Sequence, residues 1–142
     1  MPRKTIFLDS SGWVALLNAR DALHLEANRR WIEFGRLGFA AVLTDWIVAE
    51  TGNCLARTRA RQLFADSVQT FKRNAQFRFI TVTPGLMQRA LDLYAERPDK
   101  TWGLVDCASF VVMKDEGITD AFTTDHHFGQ AGFACLLPAS AV

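Results

Sequence analysis

Five short apolar runs recur along the chain, at residues 4–8 (KTIFL), 39–43 (FAAVL), 77–82 (FRFITV), 121–124 (AFTT) and 134–137 (ACLL), each bounded by turn formers or charges. Runs of this length that read apolar throughout are buried on both faces, which is the pattern of a parallel sheet covered by helices. The segments between them have helical length and spacing, over about 11–19, 21–35, 45–57, 60–75, 84–97 and 104–116. Pro84 is placed to open one of these helices and Gly117 to close another. The order of elements predicts an α/β fold, a three-layer sandwich with a short, mostly parallel central sheet. No internal repeat, low-complexity tract or linker interrupts it, so residues 1–142 read as a single domain.

Composition narrows the class further. With 49% hydrophobic and 22% charged residues, 142 residues can bury a core of useful size, which excludes a disordered or fibrous chain. No stretch approaches the roughly 18 consecutive apolar residues needed to cross a bilayer. Asp9 also cuts the first apolar run too short for a signal peptide, so a cytoplasmic protein without membrane association is expected. Cys54, Cys107 and Cys135 lie far apart with no CxxC spacing. They suggest neither a disulfide framework nor a zinc site, and are expected to be small buried thiols.

The acidic residues carry more information than the net charge of +1. Asp9 ends the first apolar run and Asp125 follows the fourth, at the carboxyl ends of strands, where open parallel sheets bind ligands. Each also suits a helix or turn cap. Glu50, in TDWIVAETGNCLA, follows Ile47 by three and precedes Cys54 by four, which places it on or beside an apolar helix face. Asp106, in TWGLVDCASFVVM, precedes Phe110 by four and Met113 by seven, although a first-turn acid is also favoured by the helix dipole. Four carboxylates gathered at such positions repel one another unless a positive charge sits among them. A divalent cation supplies it, and an all-oxygen donor set suits Mg2+ or Mn2+. Setting these four aside leaves 11 acids against 16 Lys and Arg, a surplus of +5 that suits a polyanionic substrate. Between Arg57 and Arg78 the only acid is Asp66, against six basic residues. That segment is either a solvated helix face or a track for RNA phosphates, with Arg57, Arg59 and Arg61 as the contacts to test.

The segments FLDSSGWVALL, TDWIVAET, DKTWGLVDCASFVVM and FTTDHHFGQAGF, in this order and spacing, resemble the PIN domain family and above all its small single-domain VapC-type toxins. The resemblance covers nearly the whole chain. It implies that Asp9, Glu50, Asp106 and Asp125 hold one or two Mg2+ or Mn2+ ions, and that Ser10 steadies the site. It further implies metal-dependent endonucleolytic cleavage of RNA by water, a homodimer, and inhibition by a small antitoxin protein. His126 and His127 follow the fourth acid where many relatives carry other polar or charged residues, and they read as a surface pair in a polar loop. Other readings stay open: a PIN nuclease of housekeeping RNA processing, a catalytically silent RNA-binding PIN domain, and a phosphatase using Asp9 as nucleophile. The phosphatase reading lacks its second acid, because Ser11 stands in that place.

Overall fold

Strand β1 (Thr5–Leu8) lies at the middle of a five-stranded sheet, between β2 (Ala40–Thr44) and β4 (Asp120–Phe122). The computed structural model describes residues 4–138. Strands β3 (Phe77–Ile80) and β5 (Ala134–Cys135) form the edges, giving the order β3-β2-β1-β4-β5. Every pairing is parallel, with Phe7 opposite Val42 on one side and Ala121 on the other. The expected mostly parallel sheet is therefore parallel throughout.

Among the described residues, seven helices connect the strands: α1 (Ser10–Leu17), α2 (His24–Leu37), α3 (Asp45–Leu55), α4 (Arg61–Lys72), α5 (Pro84–Glu96), α6 (Leu104–Glu116) and α7 (His126–Gln130). Their starts and stops follow local chemistry. Thr44 and Thr83 cap α3 and α5 through their hydroxyls, Pro84 occupies the first turn of α5, and Gly38 and Gly117 close α2 and α6 in the left-handed conformation. Helix α2 starts three residues later than its periodicity suggests, because Asp21 folds the preceding residues into a turn by accepting from the Leu23 N–H. None of the described helices is long and apolar enough to cross a membrane.

Alternation along the strands sends aromatic side chains to both faces of the sheet. On one face Phe122 meets Trp31 and Phe34 of α2, and Phe77 stacks on Phe71 of α4 with centroids 4.0 Å apart. On the other Phe7 approaches Phe128 of α7, which packs edge-on against Phe110 of α6. Helices thus cover both faces, as a three-layer sandwich requires. Cys107 is buried as expected, but Cys54 and Cys135 are exposed, because α3 and β5 turn those positions outward.

Two details fix the carboxyl end of the sheet. A Cβ on Gly12 would stand 2.2 Å from the Phe122 carbonyl oxygen, so only glycine lets α1 settle against the end of β4. Strand β4 stops at Phe122, before the apolar run ends, because Thr123 and Thr124 leave the ladder to bond elsewhere. The Thr123 hydroxyl donates to Asp9 at 2.7 Å, and the Thr124 N–H donates to the Ser11 hydroxyl at 2.9 Å.

Candidate active site

The carboxyl ends of β1, β2 and β4 deliver the expected acids to one place. Asp9 follows β1 directly and Asp125 stands three residues beyond β4. Glu50 comes from the middle of α3, which leaves β2, and Asp106 from the first turn of α6. Ser10 joins the two sides, its hydroxyl donating to Glu50 Oε1. Asp9 feels the charges of Glu50 and Asp106, and Asp106 feels those of Glu50 and Asp125. The four acids therefore form one coupled cluster.

The two uses that the sequence allows for each acid are divided between its two oxygens. Asp9 caps α1: its Oδ2 accepts from the Ser11 hydroxyl and the Thr123 hydroxyl, each at 2.7 Å, and more distantly from the Ser11 N–H. Asp106 Oδ2 accepts from the Gly103 N–H at 3.0 Å, and Asp125 Oδ1 caps α7 through the His127 N–H at 2.9 Å. Glu50 uses Oε1 for Ser10. The second oxygen of all four, Asp9 Oδ1, Glu50 Oε2, Asp106 Oδ1 and Asp125 Oδ2, accepts no hydrogen bond from the described residues.

The charges are uncompensated. No Lys or Arg among the described residues pairs with any of the four. Burial, with the carboxylates of Asp106 and Glu50 adding to it, pushes the Asp9 carboxyl up to about 6 against the pull of its two hydroxyl donors. Burial also raises Asp106, opposed by the Gly103 N–H and by His127. Three helix N-termini, those of α1, α6 and α7, point their partial positive charge into this cluster, but they offset only part of the repulsion.

Comparison with known proteins identifies the family of the chain. The profile of the PIN domain family matches residues 6–134. The chain belongs to the PIN domain family. It is 31% identical over 133 residues to the 23S rRNA-specific endonuclease VapC20 of Mycobacterium tuberculosis, in strains CDC 1551 and H37Rv alike. That alignment covers 94% of this chain and 98% of the relative. The crystal structure of M. tuberculosis VapC20, a sarcin–ricin loop cleaving toxin, superposes with a TM-score of 0.82 at 29% identity and covers 94% of this chain and 99% of that one.

Within this PIN domain the histidine pair departs from the sequence expectation. His126 is exposed, but His127 lies in the short helix α7 with its side chain only 17% exposed, and is not part of a polar surface loop. Its Nδ1 stands 3.3 Å from Asp106 Oδ2 and 3.2 Å from Asp125 Oδ1, yet is buried without an aligned hydrogen bond. Nε2 lies 3.1 Å from the Thr101 hydroxyl. Ligand atoms of Asp125, His126 and His127 come within 4.8 Å of one another. The signal for His127 was the pairing of a cap, Asp125, with the fully buried Phe128 three positions on, which marks a helix start.

Among the described residues the ligand atoms close enough to share one ion are those of Asp125, His126 and His127, while Asp9, Glu50 and Asp106 couple to this group through their charges; carboxylates with an imidazole suit a divalent cation. The basic segment behaves less uniformly. Arg57 and Arg59 line a cavity of about 470 Å3 together with Arg20, Leu17 and Leu63, while Arg61 donates to the Ala56 carbonyl at 3.0 Å.

Proposed function

We propose that this PIN domain is a Mg2+- or Mn2+-dependent endoribonuclease that hydrolyses RNA phosphodiesters, as the toxin of a toxin–antitoxin pair. The observation that carries the reading is the gathering of four charge-coupled carboxylates with no Lys or Arg among the described residues beside them. Asp9 is buried, and burial together with Asp106 and Glu50 pushes its carboxyl up, a tension that a bound cation would relieve. The 23S rRNA-specific endonuclease activity of VapC20 supports RNA as the substrate class and the sarcin–ricin loop of 23S rRNA as the first target to try.

Asp9, Asp106 and Asp125 would hold the metal, with Glu50 as ligand or water-orienting base. A divalent ion bound there supplies positive charge that polarises both phosphate and attacking water. Asp9 is held by Ser11 and Thr123 so that its Oδ1 is presented without rotation. Ser10 fixes Glu50 in the same way, which leaves Oε2 to direct or accept the proton of the attacking water. The hydroxyls of Ser10 and Ser11 are committed to carboxylates with no histidine as base, so neither serves as nucleophile and water attacks directly. Arg57 and Arg59, with Arg20 beside them, are the proposed contacts to flanking phosphates.

A small antitoxin protein is the proposed inhibitor and the cytoplasm the place of action. The stripe of Met87, Leu91 and Tyr94, exposed on α5 at positions four and seven apart, is the surface this chain offers a second copy in a homodimer. The test is incubation with a sarcin–ricin stem-loop RNA and with whole ribosomal RNA. Cleavage is expected with Mg2+ or Mn2+, none with EDTA, and none by Asp106→Asn. Equal cleavage in EDTA, or RNA bound but uncut under every metal, overturns the reading.

A further inference from the structure

Beside the carboxylate cluster, helix α3 presents Trp46, Ala49, Glu50 and Asn53 to a cleft of about 490 Å3, and Val105 of α6, the residue before Asp106, completes its lining with Cys54. Trp46 and Glu50 are one helical turn apart, so the indole is the immediate neighbour of a candidate site acid. The volume is ample for one heterocycle.

The chemistry of the lining separates the possible occupants. Trp46, Ala49 and Val105 are apolar, Glu50 is anionic, and no Lys or Arg contributes, so a phosphate is repelled while a neutral aromatic ring is accepted. Trp13 and Trp102 use their indole N–H groups internally, on Ser67 and Gln130. The indole N–H groups of Trp31 and Trp46 have no acceptor among the described residues; Trp31 lies among core aromatic rings, whereas Trp46 lines the cleft, where the exposed Asn53 amide has no partner either. An aromatic face beside a free amide is how proteins take up unstacked bases: the ring stacks and the amide reads a base edge.

We propose that this cleft receives one unstacked nucleobase of the RNA, next to the phosphate at the carboxylate cluster, with Trp46 as the stacking platform and Asn53 as the reader of its edge. The proposal rests on the nuclease reading for its neighbouring phosphate. It assigns α3 two tasks one turn apart, holding Glu50 at the reacting phosphate and setting which nucleotide stands beside it.

The experiment is an abasic scan through a sarcin–ricin stem-loop RNA, read by fluorescence anisotropy with Asp9→Asn protein in Mn2+, and by single-turnover cleavage with the protein intact at Asp9. Removing the base at one position beside the cleavage point should weaken binding about tenfold in the Trp46 protein. In Trp46→Ala the same removal should change binding less than twofold, because the partner of the base is already gone. Trp46→Phe should restore most of the sensitivity, and Asn53→Ala should keep it while flattening preference among the four bases at that position. A scan that is flat at every position, or equally sensitive in Trp46→Ala and in the Trp46 protein, overturns the cleft. A preserved binding pattern without cleavage under any metal overturns the nuclease reading and leaves the cleft standing.

Discussion

The two ends of the sheet handle acidic residues in opposite ways. At the amino end Asp120 pairs with Lys4 at 2.6 Å, and Glu116 of α6 pairs with Arg78 of β3. At the carboxyl end Asp9, Glu50, Asp106 and Asp125 have one another, His127 and helix N-termini, but no Lys or Arg among the described residues. At the amino end each of these acids has its cation, and the more exposed Arg78–Glu116 pair is worth about 0–1 kcal/mol. The carboxyl end is left open at a cost to the metal-free fold. The contrast is what the proposed metal site requires, since four acids without a cation of their own suit a charge that comes from outside.

The sharpest way to break this comparison is to remove one acid from each end. Asp9→Asn should reduce RNA cleavage by at least about a hundredfold, because several kcal/mol of charge stabilisation depends on the site. Asp120→Asn should leave the rate within about twofold. Equal losses from the two changes would mean that the ends do not differ in function. The metal-induced rise in melting temperature should shrink in Asp9→Asn and persist in Asp120→Asn.

A smaller effect appears in stability against pH. With its folded value raised to about 6, Asp9 binds a proton in the folded chain over a range where the unfolded chain has already released it. Its contribution to stability is therefore greatest at low pH and falls as pH rises from about 4 to about 6, by roughly 3 kcal/mol in the metal-free protein. Asn keeps an oxygen for Ser11 and Thr123 but carries no charge. Urea melts in EDTA should show Asp9→Asn gaining on the parent protein as pH rises through that window and keeping the advantage at pH 7. Saturating Mn2+ should remove the advantage. A difference curve flat with pH, or one of opposite slope, would show that Asp9 is not strained by its neighbours.

The smallest effect belongs to the closed end. Lys4→Met should cost about 1–2 kcal/mol, because it leaves the mostly buried Asp120 carboxylate without its cation, and 1 M NaCl should reduce only part of that difference. A larger, salt-insensitive loss would place more of the fold's stability at the amino end than the pairing accounts for.

The five strands, the parallel sheet and six of the helices were legible because their signals are local: apolar runs, helical spacing, a proline start at Pro84 and a glycine stop at Gly117. The acids were legible as a set, since each interrupts an apolar pattern. What the sequence hid was long-range. Thr123 reads as the end of a strand until Asp9 is seen to claim its hydroxyl. A five-residue helix has too little periodicity to announce itself, so α7 and the inward turn of His127 passed for a loop. The Arg57–Arg61 run looked uniform, but only the fold shows that Arg20 joins Arg57 and Arg59 while Arg61 turns back to its own backbone. The division of each carboxylate into a held and a free oxygen is likewise invisible in one dimension.

The hydrogen bond from Thr123 to Asp9 spans 114 positions of the chain. Its consequence concerns synthesis. A ribosome releases the chain from the amino end, so Asp9, Glu50 and Asp106 leave the exit tunnel before β4 exists to dock beside β1. Until then Asp9 lacks a donor that aims it, Asp125 and His127 are absent, and the open half of the pocket faces water. The four acids can therefore come together only after β4 and the residues that follow it have emerged, so the proposed nuclease site is among the last parts of the fold to be assembled during synthesis.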